Sequence, residues 1–204
     1  MRVVFEGCTF KNNIAKSNST AKGGALYAFE SQVDLINCLF HGNTAWSSVD
    51  GNNNKAAFGG AINIDTPSYY STNEQSWKGG QVKIINSTIV NNLVKTGSSD
   101  PNNAAAPGVY MNSNYRSEKA WIFNSIIWGN KTGQETGVNQ VYFGNESGWG
   151  ASGNDINLDY NVVQNSSDIR HLQDINSFET DPTFVDSANG DYSLSNASQL
   201  IGKG

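Results

Sequence analysis

The sequence predicts an all-β fold: a parallel β-helix, or solenoid, of about five coils with long loop inserts and a C-terminal closing segment. Three observations carry that expectation. First, only 37% of the 204 residues are hydrophobic and 15% charged, and the gap is filled by 21 Gly and 28 Asn. Both are poor helix formers, so a helical bundle is excluded. Second, a segment of eleven residues recurs without gaps at Val3–Asn13, Val33–Asn43, Val82–Asn92 and Ala120–Asn130, with a fainter copy from Ile156 to Ser166. Third, the apolar positions inside each copy alternate with a period of two, the signature of strands.

Each element follows from its columns. The first strand stacks Val3/Val33/Val82/Ala120 and Phe5/Leu35/Ile84/Ile122, and the second stacks Phe10/Phe40/Ile89/Ile127. The alternation slips by one at Gly7/Asn37/Asn86/Asn124, where Gly or Asn suits a bend at positive φ. The next corner is Asn13/Asn43/Asn92/Asn130. Four amides in register predict a ladder of side-chain hydrogen bonds. A second block then follows each copy: Gly23–Tyr27, Gly59–Asn63, Pro107–Met111 and Asn139–Phe143. Variable polar inserts separate the blocks. Like residues in fixed order imply stacked turns ~4.7–4.9 Å apart rather than a sandwich. The coils are expected over 1–166 and the closing segment over 167–204.

Asn37-Cys38-Leu39-Phe40-His41-Gly42-Asn43-Thr44-Ala45, followed by Gly59-Gly60-Ala61-Ile62, resembles the FxxN and GGA[I/L] repeats of bacterial polymorphic outer-membrane proteins. Phe10 to Asn13 and Gly23 to Leu26 match the same two patterns, and later copies drift. Asp181-Pro182-Thr183-Phe184-Val185-Asp186 with Gly190-Asp191-Tyr192-Ser193-Leu194 is similar to the closing segment of secreted bacterial β-helix proteins. The usual continuation departs here at Ser198–Gly204, which lacks its Pro and Asp. The resemblance implies a right-handed, pectate-lyase-like helix of surface or secreted type. It leaves function open, because that group holds polysaccharide-degrading enzymes and adhesins alike.

Net charge is −5 and no basic patch stands out in the sequence, so nucleic acid is not an expected partner. The acids concentrate late: residues 146–204 hold nine Asp/Glu against two Lys/Arg. No apolar run reaches the ~18 residues of a membrane span. The first residues already lie in a repeat with no signal peptide before them. The expectation is an extracellular or cell-surface chain cut from a longer protein, with end-to-end association through an uncapped coil as the alternative.

Candidate chemistry is sparse. Cys8 and Cys38 share an inward column with Ser87 and Ser125, and are expected reduced and adjacent. A metal site would need further ligands, and neither His41 nor His171 has a matching motif. Asp50-Gly51-Asn52-Asn53-Asn54 lacks a calcium-loop spacing. No metal and no cofactor is expected. The outward columns of the first block stack no two carboxylates, and Asp155 and Asp159 stand roughly 13 Å apart along one strand. No catalytic residues are therefore assigned. The inserts carry Tyr69, Tyr70, Trp77 and Trp149 among Ser, Thr, Asn and Gln, a mixture suited to the apolar faces and polar edges of sugars. These four are the candidate ligand-binding residues. The functional expectation is a binding, adhesion or scaffold role toward glycans or another surface. The alternative is a fragment of a β-helix polysaccharide lyase or glycoside hydrolase whose catalytic coils are missing.

One segment breaks the strand pattern. Trp121 to Trp128 is apolar on both parities, and Ile36, Leu39 and Ile85 extend the outward set of Trp121, Phe123, Ile126 and Trp128. A strand apolar on both faces needs cover on both. The aromatic insert 65–81 or the tail after Asn165 would supply it, the tail through a short helix carrying Ile169, Leu172, Ile175 and Phe178. A partner chain on the Trp121/Phe123/Ile126/Trp128 face is the rival.

Overall fold

A computed structural model describes residues 1–48, 57–65, 69–71, 76–78, 80–97, 104–112, 119–133, 139–144, 156–165 and 173–203. Among these the chain is all-β, with strands in several parallel sheets and no helix. The largest sheet runs Arg2–Glu6, Gln32–Ile36, Gln81–Ile85, Lys119–Phe123, Ile156–Asp159 and Gln173–Ile175. A second runs Thr9–Lys11, Leu39–His41, Thr88–Val90, Ile126–Trp128 and Val162–Val163. The register is the one expected: Phe5, Leu35, Ile84 and Ile122 align across the first, and Phe10, Phe40, Ile89 and Ile127 across the second. Four-stranded sheets follow at Ile14–Ser17, Thr44–Ser47, Leu93–Thr96 and Lys131–Thr132, and at Leu26–Phe29, Ile62–Asp65, Val109–Asn112 and Val141–Gly144. The short strands Ala21–Lys22, Ala57–Phe58 and Ala104–Ala105 lie between these two in sequence.

The core is the inward column set. Leu35, Phe40, Ile84, Ile89, Ile122, Ile127, Ile62, Ile64 and Val109 are wholly buried. Burial of each such side chain stabilises by about 1.5–3 kcal/mol. Phe10 stacks on Phe40 at 4.3 Å with planes 6° apart. The slip in alternation is a left-handed bend, as its residue types require: φ is 61° at Gly7, 52° at Asn37, 50° at Asn86 and 48° at Asn124. The GGA pattern has two separate causes. Gly23 and Gly59 sit at φ 62° and 60°. Gly24 is needed for space, because a Cβ there would lie 2.0 Å from the Gly60 carbonyl oxygen.

The asparagine ladder is present and directional. The backbone N and Nδ2 of Asn13 both donate to Oδ1 of Asn43, at 3.0 and 2.9 Å. Asn43 repeats this toward Asn92, and Asn92 toward Asn130. The ladder ends on a residue of a different type: Asn130 donates to Oε1 of Gln140, which stands in the second block's column of Ala25, Ala61 and Gly108. A parallel ladder runs through the cysteine column. Cys38 N donates to Ser87 Oγ, Ser87 N to Ser125 Oγ, and Ser125 N to Asn161 Oδ1. Cys8 and Cys38 are unbridged.

Parallel pairing continues past residue 166. Gln173–Ile175 adds to the first sheet, and Phe178 bridges Val162 in the second. Where a helix was expected, Ile175 is therefore in a strand and Phe178 in a bridge; Ile169 and Leu172 lie outside the described residues. The cover is nonetheless internal in part. A hairpin of Phe184–Asp186 and Asp191–Leu194 brings Tyr192 to 5.3 Å from the His41 ring, and Asn91 Nδ2 donates to the Tyr192 hydroxyl at 3.1 Å. Val90, an outward residue, is 1% exposed. Ile126, Phe178, Leu194 and Leu200 line a cavity of about 200 Å³. Trp121, Phe123 and Trp128 are half-buried.

Candidate ligand-binding face

The second block builds a face that its inward core does not use. Leu26, Ile62, Val109 and Val141 point inward in register, so Tyr27, Asn63, Tyr110 and Tyr142 form the opposite column. Asp65 follows two residues after Asn63 on the same strand and the same side. Tyr110 and Tyr142 stack at 5.0 Å with planes 9° apart, and Phe58 meets Tyr110 at 4.5 Å. Tyr27 stands at the solvent edge, 46% exposed.

The polar groups beneath the rings are unevenly satisfied. Asp65 is 6% exposed. Its Oδ2 takes the Lys22 ammonium as an ion pair and accepts a hydrogen bond from the Tyr27 hydroxyl at 3.1 Å. Burial, together with the adjacent Asp65 carboxylate, pushes the Tyr27 phenol up to about 12, so it remains a donor at neutral pH. The other carboxylate oxygen, Asp65 Oδ1, has no partner. Asn63 is wholly buried, and neither its Oδ1 nor its Nδ2 is bonded. An unsatisfied buried polar group costs about 1–3 kcal/mol. A side chain that leaves both amide atoms idle is thus held at a cost to stability.

Of the four aromatic residues expected to bind, three lie on one antiparallel hairpin. Tyr69–Ser71 pairs with Ser76–Lys78, placing Tyr70 opposite Trp77 in register. Trp149 lies outside the described residues. Lys22, Asn63 and Asp65 were missed by the sequence reading. The available signal was the Asn-Ile-Asp alternation after Gly59-Gly60-Ala61-Ile62, which puts two polar groups on one parity; carboxylate columns were followed only through the first block. Among the described residues no three His, Cys, Asp or Glu gather in a metal-binding group. No helix of the described residues is long and apolar enough to cross a membrane. Comparison with protein-family models, curated proteins and solved structures finds no match.

Proposed function

We propose that the chain is a right-handed parallel β-helix of about five coils, secreted or displayed at a cell surface, whose role is to bind glycans in adhesion or as a scaffold. Column-on-column register across the parallel sheets supports the architecture. One observation carries the binding role: the wholly buried, unbonded amide of Asn63 beside the Asp65 carboxylate, in a face bordered by Tyr27, Tyr110 and Tyr142. Rings and paired amide or carboxylate groups are what a sugar's apolar face and hydroxyl edge require.

The test uses calorimetric binding to a panel of soluble polysaccharides and the variants Tyr27→Ala and Asn63→Leu. Leucine fills the same volume without idle polar atoms. It is expected to raise stability by about 1 kcal/mol while weakening glycan binding about tenfold or more, the trade expected at a functional site. A destabilised Asn63→Leu that binds normally contradicts the assignment.

A fragment of a β-helix lyase or hydrolase is the second reading, favoured by the Lys22–Asp65–Tyr27 contact. Against it, Tyr27 is held protonated and is a poor base. No two carboxylates of the described residues align in the parallel sheets' register. New reducing ends or unsaturated products above a heat-killed control would favour it.

A further inference from the structure

A second face carries charge of the opposite sign to the chain as a whole. In the sheet of Ile14–Ser17, Thr44–Ser47, Leu93–Thr96 and Lys131–Thr132, Ala45 and Val94 point inward and are wholly buried. The opposite parity therefore aligns Lys16, Trp46 and Lys95 across three neighbouring strands. The Lys16 ammonium lies 4.0 Å from the Trp46 ring centroid and the Lys95 ammonium 4.9 Å from it. Lys131 is aligned with Leu93 on the same side. All three lysines are exposed and Trp46 is half-buried. None of the four strands contains a carboxylate. The ion pairs of the described residues are Arg2–Asp34 and Lys22–Asp65, so none of these three ammoniums is neutralised there.

Like charges held on one ring repel, and the ring's attraction for each offsets only part of that. In a chain of net charge −5 the grouping is a local reversal of sign, open to solvent and so open to an anion. The strands of Lys16 and Lys95 are two apart, roughly 10 Å along the stacking direction, and their ammoniums, which both close on the Trp46 ring, lie somewhat nearer each other than that. That spacing suits acidic groups repeated along an extended polymer better than one small anion, and the half-buried indole between them is apolar surface that such a polymer would cross. We propose that this face binds an anionic, carboxylate-bearing polysaccharide laid along the stacking direction. Lys16 and Lys95 take its carboxylates and Trp46 contacts the ring between them. The proposal rests on the glycan-binding reading and narrows it to acidic glycans at a separate face.

The experiment measures binding of alginate and of its propylene-glycol ester, in which the carboxylates are masked, together with inorganic polyphosphate. The proteins are the full chain, the double variant Lys16→Gln/Lys95→Gln, and Trp46→Leu. Alginate is expected to bind about tenfold tighter than the ester, and less tightly as salt rises from about 50 to about 300 mM. The double variant is expected to lose that advantage at an unchanged thermal midpoint, and Trp46→Leu to weaken alginate binding. Equal binding of alginate and ester, or full alginate affinity in the double variant, overturns this inference and leaves the glycan reading standing. Polyphosphate binding as tightly as alginate overturns the choice of polysaccharide. Failure of both alginate and ester to bind overturns this inference too, while a neutral glycan lost in Tyr27→Ala keeps the broader reading.

Discussion

The first repeat and the second have nearly the same sequence pattern and different environments. Val3, Phe5, Cys8 and Phe10 are only half-buried, whereas their register partners Val33, Leu35, Cys38 and Phe40 are at most 2% exposed. The difference is not in the residues. The second repeat has a strand hydrogen-bonded on each side, and Arg2–Glu6 pairs with Gln32–Ile36 alone. In a stack, a side chain is covered by the repeats above and below it, so burial is a property of position in the series. The asparagines show the same thing. Asn43 and Asn92 are wholly buried and bonded to the next rung, while Asn13, with the same pair of donors, is exposed.

That comparison can be broken by substitutions made in matched pairs. The largest expected effect is Phe40→Ala, which removes a wholly buried ring and costs about 3–5 kcal/mol. Phe10→Ala, at the half-buried register partner in the first repeat, is expected to cost less than half of that. Chemical denaturation read by circular dichroism checks it, and equal losses would show that the first repeat is covered as fully as the second. Next is Asn92→Ala, which strands the two donors of Asn43 and removes the side-chain donor to Asn130 Oδ1; about 2–3 kcal/mol is expected. Asn13→Ala strands no buried donor and should cost under about 1 kcal/mol. Asn86→Ala, at φ 50°, should cost about 1 kcal/mol and Asn86→Gly close to nothing, measured the same way.

The smallest effect concerns the cover. Burial under the hairpin holds the His41 imidazole below its ordinary pKa, and Lys11 acts in the same direction. The unfolded chain therefore takes up this proton more readily than the folded one. The stability that His41 supports is present above the ordinary histidine range and is lost as pH falls through about 6.5 toward the depressed folded value. The slope is at most about 1.4 kcal/mol per pH unit, that of one proton. His41→Phe should flatten it, which thermal melts between pH 7.5 and about 5 would check. A slope unchanged by the substitution would mean that other groups set the acid response.

The parallel repeats were legible because they are written several times. A period of two, a slip at Gly or Asn and a corner Asn each recur in fixed order, so chance is averaged out across copies. Column membership alone places Leu35, Ile84 and Ile122 on one face. What occurs once was not legible. Gln140 ends the asparagine ladder, yet it lies in a block whose other copies carry Ala or Gly at that place. Gln173–Ile175 extends the first sheet although its middle residue, Asp174, stands opposite Leu158 and breaks the apolar column. The tail was expected to cover the outward apolar set by a helix. Only a part of that set meets the tail: Leu194 of a hairpin shares a cavity with Ile126, while Tyr192 of the same hairpin packs on His41, a pairing that depends on tertiary contact and not on local spacing. The two candidate faces divide likewise. Lys16, Trp46 and Lys95 are far apart in sequence, and only the register brings them into one line.

The most direct test of the stack is native-state hydrogen exchange along the first sheet, followed by mass spectrometry. Gln32–Ile36, Gln81–Ile85 and Lys119–Phe123 should share the highest protection although long inserts separate them in sequence, and Arg2–Glu6 should exchange faster despite matching Gln32–Ile36 in pattern. Protection of Arg2–Glu6 equal to that of the central strands, or three unrelated protection levels among those central strands, would contradict a stack in which each repeat is buried by its neighbours.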